Sequence, residues 1–502
     1  MPSAREHAAT VSWQAHLPHG ADPQALDLLA AESLPRAWVK HFVEAPERPA
    51  FCDTERRSLS YRELDRRSRT VAARFAAAGL ETGDRVLLSA VASIDLVVAY
   101  VAAQRLGLVI VPVNPAYTRR EVDYIIDDLH PSGAIVDDVE RADWMRRTGV
   151  VCKPGVDLAD GSEPSLDRAT RDDLALIAYT SGTTGQPKGA MLSSGNLLAS
   201  AEAVRVAWRW TADDRLVLAL PLYHLHGLGV GLHGTLTAGA SAVLLPRFDV
   251  DQVLDAAAAF DATLFFGVPT MYARLAASER IGELARLRLC VSGSAPMSAD
   301  LHRALAERAG QQIIERYGMT ETVMNISNPY EGDRRPGSVR LPLPGVELQL
   351  ADGEILIRGP NVFRGYWQRP EATGEAFTED GWFRSGDLGT FDSDGYLRIV
   401  GRSKDLIITG GYNVYPREIE DVLRQHPGVR DVAVAGLASA EWGETVGAWV
   451  VISEDNLDES ELLSFAADRL AAFKCPRVIV FVDELPRNAL GKVLKQQLPT
   501  PA

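Results

Sequence analysis

The run Tyr179-Thr180-Ser181-Gly182-Thr183-Thr184-Gly185-Gln186-Pro187-Lys188-Gly189 concentrates glycine, hydroxyl and cationic chemistry in one short stretch. Its glycines permit tight turns and a close approach of backbone to ligand. Thr180, Ser181, Thr183, Thr184 and Lys188 supply donors and one positive charge, and no carboxylate interrupts them. Successive backbone N–H groups in such a loop form an anion-binding nest, so the segment suits a polyphosphate. The P-loop spacing G-x-x-x-x-G-K-[ST] is not met, because Lys188 precedes Gly189 and no Ser or Thr follows; the dinucleotide pattern G-x-G-x-x-G is missing as well.

Other stretches hold complementary groups. Glu315-Arg316-Tyr317-Gly318-Met319-Thr320-Glu321-Thr322 offers an aromatic ring, a hydroxyl and a carboxylate, the last suited to a hard divalent cation. Ser385-Gly386-Asp387 presents an acid of the kind that receives ribose hydroxyls, and Arg402 follows Gly401 further on. Pro486 to Lys492 ends in Gly491-Lys492, and Pro221-Leu222-Tyr223-His224-Leu225-His226-Gly227 sets two histidines in an apolar context. Taken singly, each of these short runs is as compatible with a turn or a satisfied core histidine as with a site.

Together and in this order, over residues 179 to 492, they resemble the adenylate-forming superfamily of acyl- and aryl-CoA ligases, carrier-loading adenylation domains and luciferases. The pattern [ST]-S-G-[ST]-T-G-x-P-K-G is highly specific to it. The resemblance implies that Thr180, Ser181, Gly182, Thr183, Thr184, Gly185 and Lys188 cradle the phosphates of ATP. It implies further that Tyr317 packs on the adenine, Thr320 bonds the α-phosphate, Glu321 holds Mg²⁺, and Asp387 and Arg402 meet the ribose. Lys492 becomes the main catalytic residue, assisted by Thr184 and Glu321, while His224, and with less weight His226, flanks the acyl site. Lys404 fits a domain hinge, and Gly410 and Gly411 a loop near the pantetheine of CoA. The implied reaction joins a carboxylate to the α-phosphorus of Mg·ATP, releases pyrophosphate, and then transfers the acyl group to the CoA thiolate with loss of AMP. It needs no nucleophilic side chain, in keeping with the lack of a Ser-His-Asp pattern.

The acid is read from a smaller resemblance. Val268 to Leu275, Ser292, Ser294, Met319 and the run Met324 to Pro329 are similar to the malonyl-CoA or methylmalonyl-CoA synthetase branch. There Arg274 is expected to face the acyl pocket and grip a distal carboxylate, on a helix that Thr270 would cap. Medium- or long-chain fatty acyl-CoA and aryl-CoA ligases are alternatives, and a luciferase-like oxygenase would share every adenylation motif. A dead binding protein would be expected to lose Lys492 or Glu321, and both are present. Arg340 departs from the glycine many relatives carry there and reads as local turn chemistry at the rim of the pocket.

These groups need a scaffold, and the length of 502 residues calls for two or three domains. Apolar runs at 85–90, 108–113, 216–220, 241–245, 263–268 and 287–291 alternate with helical patterns such as 94–106, which predicts a parallel sheet covered by helices. Ser60 and Glu63 fit a capping box, and residues 25–45 have helical periodicity. Past residue 335 the texture turns to short strands and Gly/Pro turns. The expected fold is α/β: a large domain over 1–401 with helix-covered sheets and a small β subdomain, then a small, mobile α+β domain over 402–502 with a frayed tail. The net charge of −15 argues against nucleic-acid partners. Cys52, Cys152, Cys290 and Cys475 show no metal-ligand spacing and read as reduced thiols. No apolar core of a signal peptide appears before Pro23, and no stretch approaches the roughly 18 apolar residues of a membrane span. A cytoplasmic protein that meets a carboxylic acid, ATP and CoA is therefore expected.

Overall fold

Ser60 accepts a hydrogen bond from the Glu63 N–H at 3.2 Å, and the Glu63 carboxylate takes the Ser60 N–H at 2.8 Å. This reciprocal cap starts the helix Tyr61–Ala77 where the sequence placed it. The computed structural model describes residues 13–180, 187–409, 412–439, 442–453, 457–488 and 491–501. Helix Ile94–Leu106 is buried on every face and ends at Gly107, whose φ of 83° only glycine adopts without strain. It connects Arg85–Ser89 to Val109–Pro112, and these strands pair in parallel.

Contacts divide the described chain into a larger unit, 13–348 with 357–383, and a smaller one, 349–356 with 384–501. The larger unit holds two sheets. In one, Arg215–Leu218, Leu264–Gly267, Leu289–Ser292 and Ile314–Tyr317 lie side by side in parallel. The central strands are buried along their length, as strands covered on both faces must be. One face packs Phe265, Tyr272, Leu275, Cys290 and Ile313 into a single apolar cluster. Because the strands share a direction, the segments leaving their C-terminal ends converge on one edge, where open α/β sheets bind ligands. In the second sheet, Leu174–Thr180 pairs antiparallel with Lys188–Ser193, and Thr180 lies opposite Lys188.

In the smaller unit the hairpin Phe383–Phe391 and Leu397–Arg402 sets Asp387 opposite Arg402. A mixed sheet follows, in the order Tyr412–Val414, Ile407–Thr409, Gly443–Ile452, Val429–Ser439, with Val478–Phe481 parallel to Gly443–Ile452. Ile419 and Leu423 from helix Pro416–Leu423 and Leu462 and Ala466 from helix Glu459–Ala467 complete its core against Val434, Val446 and Val450.

The α/β class is as expected, with a large N-terminal and a smaller C-terminal part. Some details differ. The helix within 25–45 begins only at Leu34. Residues 401–405, around the expected hinge at Lys404, are the end of a strand followed by one 3₁₀ turn, Ser403–Asp405. The tail is docked rather than frayed, because the Trp449 indole N–H donates to the Pro499 carbonyl at 2.8 Å and Leu498 packs on the same apolar cluster. All the cysteines are free. Among the described residues, no helix is long and apolar enough to cross a membrane.

Candidate active site

The ends of the hairpin at Thr180 and Lys188 are held together by strand pairing and a 3.4 Å bond from the Thr180 hydroxyl to the Lys188 carbonyl. Ser181, Gly182, Thr183, Thr184 and Gly185 lie outside the described residues. The Lys188 ammonium stands 5.3 Å over the ring of Tyr366. The Tyr366 hydroxyl in turn donates to Glu321 Oε1 at 2.9 Å. Burial, then the neighbouring Glu321 carboxylate, pushes the Tyr366 phenol well up, so it remains a proton donor at any working pH. A cation, a ring and a carboxylate thus line up beside the end of the loop.

Tyr366 carried no signal in the sequence reading. Its segment runs alongside the hairpin: Met191 N–H donates to Gly365 O at 3.0 Å and Trp367 N–H to Gly189 O at 2.8 Å. Only this pairing, between residues far apart in the chain, brings the phenol to Glu321.

Tyr317 ends its strand buried, with its hydroxyl 3.7 Å from Met319 Sδ. The chain then folds back so tightly that a Cβ on Gly318 would lie 2.2 Å from the Val323 carbonyl oxygen. Val323 adopts φ 57°, a strained conformation for a β-branched residue. Thr320 is half-buried on this turn and Glu321 is buried. Among the described residues, no group of three or more His, Cys, Asp or Glu side chains is arranged to enclose a metal. One carboxylate beside a phosphate loop does fit Mg²⁺, which usually takes one or two protein oxygens and fills its octahedron with phosphate and water.

In the smaller unit, the Asp387 carboxylate meets Arg402 Nε at 3.0 Å, and the Ser385 hydroxyl accepts the Asp387 N–H at 3.0 Å. Lys492 follows the turn of Asn488, whose side-chain oxygen accepts its N–H at 3.0 Å. Partial withdrawal of its ammonium tip from water holds Lys492 down to about 8, although the side chain as a whole keeps exposed surface. Arg402 and Lys404 push the same way, and Asp387 and Asp405 oppose them. The unit therefore gathers Lys492, Asp387, Arg402 and Lys404 in one neighbourhood. Gly410 and Gly411 lie outside the described residues.

The acyl-side residues separate into those that meet and those that do not. His226 Nδ1 is 3.3 Å from the Ser294 hydroxyl, and His226 opens a π-helical turn, His226–Leu232. Burial holds His224 down to about 4 and His226 well below the ordinary imidazole value, the latter with Arg316 and His224 adding repulsion, so both imidazoles are neutral. Nε2 of each is buried without a hydrogen-bond partner.

Ser292 is buried in register with Glu315 of the next strand, and its hydroxyl has no hydrogen-bond partner. Two expectations need correction. Arg274 stands exposed on the last turn of helix Pro269–Ala277, its guanidinium 5.0 Å over Phe248, outside the buried polar groups. The helix is capped by Val268 with Pro269 as its first residue, not by Thr270, because proline's fixed φ already suits that position. The residue that sequence reasoning missed here is Arg316, buried with Nε and Nη2 unpartnered. Its signal was a charged pair, Glu315-Arg316, set between Ile313-Ile314 and Tyr317.

Residues 39–367 match the model of the AMP-binding enzyme family, and residues 418–492 that of the AMP-binding enzyme C-terminal domain. A feruloyl-CoA synthase of Amycolatopsis sp is 38% identical, covering 88% of this chain and 93% of its own. The malonate–CoA ligase ACSF3, mitochondrial, of Mus musculus is 36% identical, over 88% of this chain and 86% of its own. The crystal structure of ATP-bound MatB from Rhodopseudomonas palustris superposes with a TM-score of 0.87 at 42% identity, over 93% of this chain and 98% of that one. With its phosphate-loop sequence, the turn that carries Glu321 and a C-terminal unit that carries Lys492, the chain belongs to the AMP-binding enzyme family of adenylate-forming enzymes, as an acid–thiol ligase.

Proposed function

We propose that the protein joins a small dicarboxylic acid, malonate and by extension methylmalonate, to CoA through an acyl-adenylate, consuming ATP and releasing AMP and pyrophosphate. The observation that carries the ligase reading is the Lys188–Tyr366–Glu321 line at the end of the phosphate-loop hairpin. It sets a cation for phosphates and an oriented carboxylate for a metal side by side. Malonate is supported by the malonate–CoA ligase among the relatives and by Arg316, a buried cation whose Nε and Nη2 are unpartnered. An aryl acid is the second reading, supported by the feruloyl-CoA synthase.

The first step brings two anions together, so its barrier is largely electrostatic and positional. In this reading Thr180, Ser181, Gly182, Thr183, Thr184, Gly185 and Lys188 hold the phosphates, and Tyr317 and Thr320 fix the adenine and α-phosphate. Asp387 and Arg402 receive the ribose. Glu321 would hold Mg²⁺, which would supply charge neutralisation for the departing pyrophosphate. Tyr366 donates to one carboxylate oxygen of Glu321 and so orients the other. Lys492 steadies the attacking carboxylate and the α-phosphate, and His224 and Met319 border the acid. Division at 401/402 would let the C-terminal part turn about Lys404, so that Gly410 and Gly411 come to the pantetheine of CoA in the second step.

ATP-to-AMP conversion over a panel of mono- and dicarboxylic acids, with and without CoA, tests the reading. Malonate is expected to lead, with AMP and malonyl-CoA formed in equal amounts. Preference for octanoate or a cinnamate would remove the substrate assignment and leave the ligase; no AMP with any acid would remove both.

A further inference from the structure

We propose that helix Arg119–Leu129 braces the phosphate-loop hairpin, and that Asp128 on it is a positioning residue for adenylate formation, joining the stem of that hairpin to the segment that brings Tyr366 to Glu321. The inference deepens the ligase reading and rests on it.

The helix is first fixed by its own sequence. The Glu121 carboxylate takes the Thr118 N–H at 2.7 Å, and the Thr118 hydroxyl takes the Glu121 N–H at 3.4 Å, a reciprocal cap. Val122, Ile125, Ile126 and Leu129 bury the apolar face in the cluster that also holds Leu87, Val111 and Ile177 of the second sheet. Tyr124 and Asp128 stand four residues apart, on one side of the helix, and both meet the hairpin.

They take opposite stems of it. The Tyr124 hydroxyl donates to the Pro187 carbonyl at 2.8 Å, where the chain leaves the loop. The Tyr179 hydroxyl donates to Asp128 Oδ2 at 2.7 Å, from the strand that enters the loop. The two tyrosine rings meet edge to face, with centroids 6.4 Å apart. Burial, then the bond to Asp128, raises the Tyr179 phenol, so it stays a proton donor. Gly189 makes the close packing possible: a Cβ there would lie 2.7 Å from Ile177 Cγ2 and 3.4 Å from Tyr179 Cζ.

Asp128 spends its other acceptors on a segment far along the chain. Arg369 Nη2 donates to Oδ1 at 2.5 Å, and the Trp367 indole N–H donates to the Asp128 carbonyl at 3.3 Å. The Asp128 side chain is 9% exposed, so these charged bonds are largely shielded from water. Trp367 directly follows Tyr366, whose hydroxyl meets Glu321 at 2.9 Å. One residue therefore ties the loop's stem to the phenol that orients the carboxylate assigned to Mg²⁺.

The place of these bonds gives them a role in the chemistry. A glycine-rich loop loses much backbone freedom when it closes on phosphates, and that loss subtracts from ATP binding. Stems fixed in advance reduce it, and they set the phosphates at one distance from the Glu321 carboxylate. The apolar face of the helix is buried without them.

The test compares Asp128→Asn and Tyr124→Phe with the wild type, using the acid of the panel that the wild type activates best. It measures pyrophosphate exchange, KM for ATP and for the acid, thioester formation from supplied acyl-adenylate, and Tm. Asp128→Asn keeps the volume but removes the charge that Tyr179 and Arg369 bond. It is expected to lose about 10- to 100-fold in kcat/KM for ATP, mostly in KM, the scale of a hydrogen bond to a charged group. The acid's KM and thioester formation should stay near wild-type values. Tyr124→Phe removes one neutral bond and should lose about 2- to 10-fold in the same parameter; it decides alone if Asp128→Asn does not fold. Unchanged ATP kinetics in both variants would overturn the brace and leave the ligase. So would a loss shared equally by the acid's KM and by thioester formation, in step with a fall in Tm. A wild type that forms no AMP with any acid would overturn the ligase reading and the role of the brace together.

Discussion

Lys492 and Tyr366 show how environment decides what a side chain does. With its pKa lowered to about 8, Lys492 is charged at neutral pH and mostly neutral above pH 9. If its charge steadies the reacting carboxylate and α-phosphate, kcat/KM for adenylate formation should fall as pH rises through about 8. The sign follows from the lowered pKa: the useful, protonated form lies on the acid side. Lys492→Ala should remove that descending limb and cripple adenylate formation, while thioester formation from supplied acyl-adenylate suffers much less. Equal loss in both half-reactions would refute the assignment. Tyr366→Phe deletes one hydrogen bond to a buried carboxylate, an interaction of about 1.5–3 kcal/mol, so adenylate formation should drop by about 10- to 100-fold. A Mg²⁺ titration of the variant should show weaker saturation; unchanged saturation would make Tyr366 a packing residue only.

At the level of elements, the π-helical turn His226–Leu232 is the unusual piece. Such turns are rare and concentrate at functional sites, because the extra residue per turn redirects a side chain. Here glycine makes it possible: a Cβ on Gly227 would sit 2.3 Å from the Pro221 carbonyl oxygen, and one on Gly231 would lie 2.7 Å from Leu218 Cδ1. The turn is thereby pressed against the strand it follows, which seats His224 and His226 at the sheet's C-terminal edge. Gly227→Ala must force that packing apart. Overpacking of this kind costs about 1–3 kcal/mol, and a Tm fall of a few degrees follows, since the shift is about 2–4 °C per kcal/mol for 150–250 residues and smaller for a larger unit. If the displaced groups border the acid, as proposed, the acid's kcat/KM should fall further than that of ATP. A melting curve and a two-substrate kinetic comparison check both; an unshifted Tm would mean that the turn relaxes freely.

For the whole molecule, each unit carries its own apolar core, one around Phe265 and Tyr272 and one around Ile419, Val434 and Val450. Units with separate cores can reorient without unfolding. The family resemblance calls for such a change between the half-reactions, with Lys404 as pivot on the turn Ser403–Asp405. Lys404→Pro fixes φ at the pivot and biases Ser403 toward extended backbone. Pyrophosphate exchange should then survive better than CoA-ester production. Parallel loss of both rates, or no change in either, would place the pivot elsewhere.

What the sequence determined by itself was whatever depends on neighbours along the chain. The spacing of Ser60 and Glu63 encodes a cap, the continuous apolar runs encode buried parallel strands, and the contiguous phosphate-loop residues carry their chemistry in their order. The α/β architecture and the family were legible for that reason. Tertiary structure alone decided the rest. Tyr366 reaches Glu321 because the segment at 365–367 pairs with the strand at 188–193, a contact no local pattern announces. Ser292 shares a face of the sheet with Glu315 because their strands lie in parallel register. Arg274 and Arg316 are equally cationic on paper, but one is exposed over Phe248 and the other buried beside Gly293 without an acid. A residue's partner and its share of water are set by which strands lie adjacent and which way each side chain points, and those are properties of the packed chain.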